Sequence, residues 1–435
     1  MFTLNKPKIN YLLIVICFFN TQFSFAENSN SVFSDTFFTQ LHVLSSELEF
    51  KEPATVQNTP AKQWFEKITL GGYVQLRYNR LFETNPKMKC EQCDKSIGEN
   101  GGFFIRRNRL RVAGQIHPRV YMYIQYDFAS SPSSSAQHFG QVRDAYFDLG
   151  LDEKNEFRLR LGQSKTPYGF INMQSSQNRL NLDRDDALNS GNANEREIGV
   201  FAYWAPKKKR DLFASLVKDG LKGSGDYGCF AYGVYNGQLA NKLDENNNLH
   251  QVTRFTWPFE VKNQIFEPGI QAYTGQYTLT SLNKGVKYSS LGKYPAATYL
   301  DQRVAGTFVM YPKPFGIQTE YNVGRGPEFN KFTDSIEVKD LKGGYVLLNY
   351  MIKTPNKQII HPFARYTYYK GGKKHEVDAR AYEVKELEFG IEWIPFKNFE
   401  LVCAYNIAQR RYEDFVKQDN LQTGRFMRLQ AQLNF

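Results

Sequence analysis

The clearest functional feature of the chain is Arg106-Arg107-Asn108-Arg109-Leu110-Arg111, which continues as Val112-Ala113-Gly114-Gln115-Ile116. Leu110, Val112, Gly114 and Ile116 alternate with the arginines. An extended backbone therefore puts Arg107, Arg109 and Arg111 together on the opposite face. Repeating every ~6.6–6.8 Å along a strand, they form a ladder of permanent positive charge. Guanidinium keeps its charge and binds phosphate or carboxylate with two parallel hydrogen bonds. The same test places Arg77 beside Gln75 and Asn79. It sets Arg158 and Arg160 between Phe157, Leu159 and Leu161, Arg303 opposite Val304, and Arg428 opposite Leu429. The longest loop, 165–195, adds Lys165, Arg179 and Arg184 as possible contacts for a permeating anion. It also carries Asp183, Asp185 and Asp186, which would repel one. These eleven cations form the candidate anion pathway. The plainer alternative is that inward acids such as Asp127, Asp144 and Asp148 neutralise them.

The elements that carry these residues alternate with a period of two. Leu70, Val74, Leu76 and Tyr78 share one face, and Tyr73, Gln75, Arg77 and Asn79 the other. Val120, Met122, Ile124, Tyr126 and Phe128 oppose Tyr121, Tyr123, Gln125 and Asp127. Met427, Leu429, Ala431, Leu433 and Phe435 oppose Arg428, Gln430, Gln432 and Asn434. Period two means strands with one apolar face. Several segments run past twelve residues, whereas strands of soluble sandwiches average ~5–6. Aromatics make up 15% of the 435 residues, with 27 Tyr and 35 Phe, and the mean hydropathy is −0.53. That excludes a bundle of membrane helices, each of which needs ~20 apolar residues in a row. It suits a membrane barrel, whose strands need only alternate residues apolar.

Segments joined at His117-Pro118, Ala205–Arg210, Tyr311–Phe315, Thr354–Lys357 and Pro395–Asn398 read as periplasmic turns. Polar stretches near 81–102, 129–140, 165–195, 239–249, 281–298, 326–340, 372–381 and 413–422 read as extracellular loops. The alternating segments number seventeen, and a single-chain bacterial barrel takes an even number. The weakest, 211–219, precedes the Gly-rich stretch Gly220–Gly228 and is read as an excursion. The predicted fold is all-β: a transmembrane antiparallel barrel of about sixteen strands around a water-filled lumen. A terminal Phe435 after an alternating strand is what barrel-assembly machinery recognises.

Lys6 and Lys8, the apolar run Tyr11–Phe19 and the small-residue site Phe23-Ser24-Phe25-Ala26 read as a secretory signal peptide, residues 1–26, cut near Ala26. Removing it takes two lysines from the formal charge of +11, leaving +9. Residues 27–67 read as a periplasmic lead-in with a short helix around Thr36–Phe50, and 68–435 as the barrel. Cys90 and Cys93 read as a local disulfide or an incidental pair, because a metal site needs more than two ligands. Neither a GxSxG, an HExxH nor a phosphate loop is present, and the six His are scattered. No catalytic residue, metal or cofactor is assigned. Lys207-Lys208-Lys209-Arg210 reads as a solvated turn cap, not a nucleic-acid site.

Taken in order, the arginine-rich second strand, Val142-Arg143-Asp144-Ala145-Tyr146-Phe147, Leu161-Gly162-Gln163-Ser164-Lys165-Thr166-Pro167, Arg196 before an apolar strand, and Tyr235-Asn236-Gly237 resemble the phosphate-selective porin O/P family. The resemblance spans about residues 68–435. It implies a homotrimer of sixteen-stranded barrels in the bacterial outer membrane, passing small anions along an arginine ladder, with phosphate and polyphosphate as candidate solutes. The acidic Asp183–Asp186 stretch departs from a strongly basic constriction. The competing readings are a barrel enzyme such as a lipid hydrolase and a non-conducting barrel that anchors or adheres.

Overall fold

The structure, a computed structural model, describes residues 63–88, 102–129, 140–193, 195–290 and 293–435. The expected leader, the helix at Thr36–Phe50 and the Cys90–Cys93 pair lie outside these residues.

A 3-10 turn at Trp64–Lys67 leads into β1, Ile68–Leu81. Next come β2 Gly102–His117, β3 Val120–Asp127, β4 Gln141–Gly150, β5 Phe157–Lys165, β6 Arg196–Trp204 and β7 Phe230–Tyr235. β8 runs His250–Thr256 and resumes at Phe259–Val261. β9 Gln264–Thr278, β10 Thr298–Met310 and β11 Phe315–Asn330 follow. β12 runs Ser335–Tyr350 and resumes at Ile352–Lys353. The last strands are β13 Ile359–Gly372, β14 Ala381–Phe396, β15 Phe399–Glu413 and β16 Leu421–Asn434. Both pieces of β8 pair with β9 and both pieces of β12 with β13, so eighteen hydrogen-bonded segments make sixteen strands. Neighbours are antiparallel throughout. β1 pairs with β16 from Tyr73↔Asn434 to Tyr78↔Leu429, which closes the barrel and leaves no sheet edge.

The predicted register holds. In β10, Asp301, Arg303 and Ala305 are buried on the inner face, while Val304 and Phe308 are exposed on the outer. Ile270, Val323, Val346, Leu348, Phe389 and Ile391 continue the outer apolar band. Trp257, Phe315, Tyr350, Trp393 and Phe396 are exposed near its short-turn end, where aromatic rings suit a membrane interface. Val346 lies near the middle of that band. Val346→Arg is expected to destabilise the folded barrel by ~2–4 kcal/mol relative to Val346→Leu in denaturant titrations in lipid vesicles.

Two connections differ from the sequence reading. The expected loop 326–340 is mostly strand: β11 and β12 pair through Asn330↔Ser335 and turn at 331–334. Its polar side chains pair across the extended hairpin, as Arg325 does with Asp340 at 3.4 Å. The expected tight turn Ala205–Arg210 opens instead into a long excursion holding a twelve-residue helix, α3, Lys207–Lys218. Segment 211–219 is thus no strand, in keeping with its removal from the count. Nor is Lys207–Arg210 merely a solvated cap: Arg210 pairs with Asp226 at 2.8 Å, and Lys209 Nζ lies 4.9 Å from the Trp257 ring.

Candidate functional site

Two segments enter the lumen from opposite ends. From the long-loop end comes 166–195, which carries α1, Phe170–Met173, and α2, Asp186–Gly191. The Asp185 side chain caps α2 by accepting from Leu188 N at 3.1 Å. Tyr168, Ile171, Leu180, Leu182 and Leu188 pack this segment on inner-wall residues including Phe201, Val252, Leu347 and Phe363.

Its acids do not face an open pore, as the sequence suggested they would. Asp183 pairs with Arg77 at 3.2 Å and with Arg428. Asp186 pairs with Lys373 at 2.6 Å and Arg410 at 3.3 Å. Arg365 donates to Asp183 O at 2.8 Å and Arg303 to Ala187 O at 3.1 Å. A buried carboxylate requires a partner, and the wall arginines supply it. Arg77, Arg303 and Arg428 therefore anchor the loop against the wall.

The other eight predicted cations gather on the β1–β6 side. Arg107 is buried and donates to Gln75 Oε1 at 2.8 Å. Arg109 donates to Asp127 at 2.8 Å and to Ser176 Oγ at 3.2 Å. Half-buried Arg111 has no carboxylate within ion-pair distance among the described residues. Lys165 Nζ donates to Gln174 O at 2.6 Å, tying down the start of the loop. Arg179 and Arg184 converge on Glu195 at 3.6 and 3.2 Å, where Arg143 and Arg196 join them. Burial alone would raise the Glu195 carboxyl. Arg184, Lys165, Arg196 and Arg179 hold it well below the usual carboxylate range.

Sequence reasoning quoted Arg143 and Arg196 only as motif residues, yet both belong to this cluster. A bulge between Gln125↔Asp144 and Tyr126↔Val142 lets Arg143 and Asp144 both turn inward, which strict alternation forbids. Asp144 pairs with Arg196 at 2.8 Å. The acid-neutralised alternative thus holds for Arg109, Arg196 and Arg160, the last paired with Asp148 at 2.7 Å. It fails for the cluster as a whole. Among the described residues, the ion pairs of Arg109, Arg143, Arg179, Arg184 and Arg196 go to Asp127, Asp144 and Glu195, Arg107 and Lys165 make none there, and Asp183 and Asp185 add their charge near Arg179 and Arg184. Among the described residues, Arg107 Nε, Arg111 Nε and Arg179 Nε and Nη1 find no hydrogen-bond acceptor although they are buried.

From the short-turn end comes the excursion 205–229. Phe213, Leu216 and Leu221 pack on Ile265, Val309 and Tyr311 of the wall and on Phe170 of the opposing loop. Asp226 binds Arg158 and Arg210, each at 2.8 Å, while Lys222 binds Glu392. The excursion therefore spans the mouth from β5 to β14 as a strap. It meets the loop where Gln174 donates to Lys222 O. Burial would raise Asp226, but Arg158 and Arg210 hold its carboxyl below the usual range.

Between loop, strap and strands β2–β6 lies a cavity of about 700 Å³. Arg111, Arg158, Arg160, Tyr121, Tyr123 and Tyr227 are among its lining, and Arg119, Lys154 and Lys207 line it toward the short-turn rim.

A family model described as phosphate-selective porin O and P matches residues 88–435. No curated protein matches. Among solved structures, the outer membrane channel DcaP of Acinetobacter baumannii is similar with a TM-score of 0.53 at 14% identity, covering 85% of this chain and 97% of that one. OmpT expressed in the outer membrane of Vibrio cholerae gives 0.49 at 8%, covering 85% and 97%. An anion-selective porin from Comamonas acidovorans gives 0.47 at 8%, covering 85% and 99%. At these identities the likeness to the solved structures is one of fold.

Proposed function

This chain belongs to the phosphate-selective porin O and P family, and from that premise we propose that it is a passive outer-membrane pore that prefers small anions, with phosphate and polyphosphate among its candidate solutes. The family and the closed barrel are those of an outer-membrane channel. Preference for anions rests on one observation: among the described residues, a cluster of seven cations has ion pairs to three carboxylates, with Asp183 and Asp185 acting on it from outside ion-pair distance. Buried charge of one sign needs compensation, and what the protein does not supply must come from mobile anions. Several donor sites in sequence let an anion exchange partners instead of being trapped at one. Arg107, Arg109, Arg111, Arg179 and Arg184 form the upper part of this path, and Arg158 and Arg160 the part facing the strap. Homotrimeric assembly and cleavage near Ala26 complete the proposal.

Reversal potentials in planar bilayers under a potassium chloride gradient test it. Anion permeability should exceed cation permeability, and cation preference would refute the reading. The strap across the mouth favours one rival, a closed barrel that serves as an anchor or adhesin. That rival predicts no conductance in the same bilayers.

A further inference from the structure

The cavity beneath the loop is larger and more aromatic than bare anions require. A bare phosphate would leave most of its roughly 700 Å³ to water, whereas pockets of ~300–1,000 Å³ hold ligands with a substantial organic body. Its wall is also mixed. Tyr123 stacks on Tyr146 with ring centroids 5.2 Å apart and planes 11° apart, and Tyr121 follows at 6.5 Å from Tyr123. The Arg160 guanidinium lies 3.9 Å from the Tyr146 ring and 5.4 Å from that of Tyr227, which the strap contributes. Half-buried Arg111 shares the cavity and has no carboxylate partner among the described residues. Guanidinium recognises an oxyanion, and a tyrosine surface recognises a flat ring. The strap gives the space a floor, so a solute would dwell there before leaving.

We propose that this cavity is a binding site for a phosphate monoester carrying a flat aromatic ring, as in a nucleoside monophosphate. The phosphate sits toward Arg111, and the ring lies against the wall of Tyr121 and Tyr123, while Arg160, held by Asp148 through two hydrogen bonds at 2.7 and 2.9 Å, backs that wall through Tyr146. The proposal rests on the anion-pore reading for access and goes beyond it in naming an organic solute.

The test compares adenosine 5′-monophosphate, ribose 5-phosphate, adenosine and inorganic phosphate as blockers of chloride current through the full-length protein in bilayers. Stacking of a base on an aromatic side chain is worth ~1–3 kcal/mol, about five-fold or more in affinity. Adenosine monophosphate should therefore half-block at a concentration at least about five-fold below that of ribose 5-phosphate, and adenosine should not block. Tyr123→Ala, and Tyr123→Leu, which keeps bulk, should both drive the ratio between the two esters toward one. Equal blocking by the two esters in the unaltered protein, or an unchanged ratio in both variants, overturns the site. Equilibrium binding of the same four compounds to detergent-solubilised protein separates the two readings. Ring-dependent binding without anion-selective current keeps the site and refutes the pore, whereas anion-selective current without ring dependence does the reverse.

Discussion

Replacing Arg107 and Arg111 together by alanine is expected to lower the anion-over-cation permeability ratio by about twenty-five-fold at low salt. Neither guanidinium has a carboxylate partner among the described residues, so each contributes its whole charge to the path. Removing one such charge a few ångströms from a passing anion removes ~1 kcal/mol of attraction in water, about five-fold in preference. Two removals compound, and the effect should shrink as added salt screens the lumen. Arg109→Ala is a different experiment on the same strand. It leaves Asp127 buried without the ion pair it makes at 2.8 Å, so the loss of a cation is joined by a carboxylate that repels anions and destabilises the fold. In thermal unfolding, Arg109→Ala should therefore cost more stability than either Arg107→Ala or Arg111→Ala. Reversal potentials for the double variant equal to those of the unaltered protein would remove the ladder from the selectivity mechanism.

This ladder was legible in the sequence because its logic is local. Leu110 and Val112 facing lipid fix where Arg109 and Arg111 point, with no knowledge of any other strand. The same holds for the outer band of β10 and for the closing strand β16. What stayed hidden is long-range. Asp183 looks like an unpaired acid until β1 and β16 bring Arg77 and Arg428 to it across the barrel. The bulge at Arg143 breaks the alternation that made its neighbours readable, because a bulge depends on pairing between two strands and leaves no mark in either alone. The strap was obscured for another reason. Short-turn connections in such barrels are usually tight, so Ala205–Arg210 suggested a turn. The helix that follows buries only Phe213 and Leu216, an apolar stripe too narrow to announce itself in a sequence.

The strap carries the second large prediction. Replacing residues 206–228 by a two-residue Asn-Gly turn should leave the sixteen strands paired, since β6 and β7 already hydrogen-bond from Gly199↔Tyr235 to Trp204↔Phe230. The channel is then left with one obstruction where it had two in series. If loop and strap resist current comparably, single-channel conductance rises about two-fold. The polar latches make the effect divisible. Asp226→Asn weakens the hold of Arg158 and Arg210 at one end, and Lys222→Met removes the partner of Glu392 at the other. Each should give a smaller conductance gain and noisier open-channel current than full replacement, because the apolar contacts of Phe213, Leu216 and Leu221 still hold the middle. Lys222→Met should also reduce anion preference, since it leaves Glu392, with Glu400 also buried on the neighbouring strand, without its cation at the mouth. Asp226→Asn should raise anion preference, because it releases Arg158 toward the path. Opposite shifts in selectivity from two changes that both loosen the strap would distinguish its charges from its bulk. A strap-replaced barrel with unchanged conductance would place the limiting constriction wholly in the loop that carries Arg179 and Arg184.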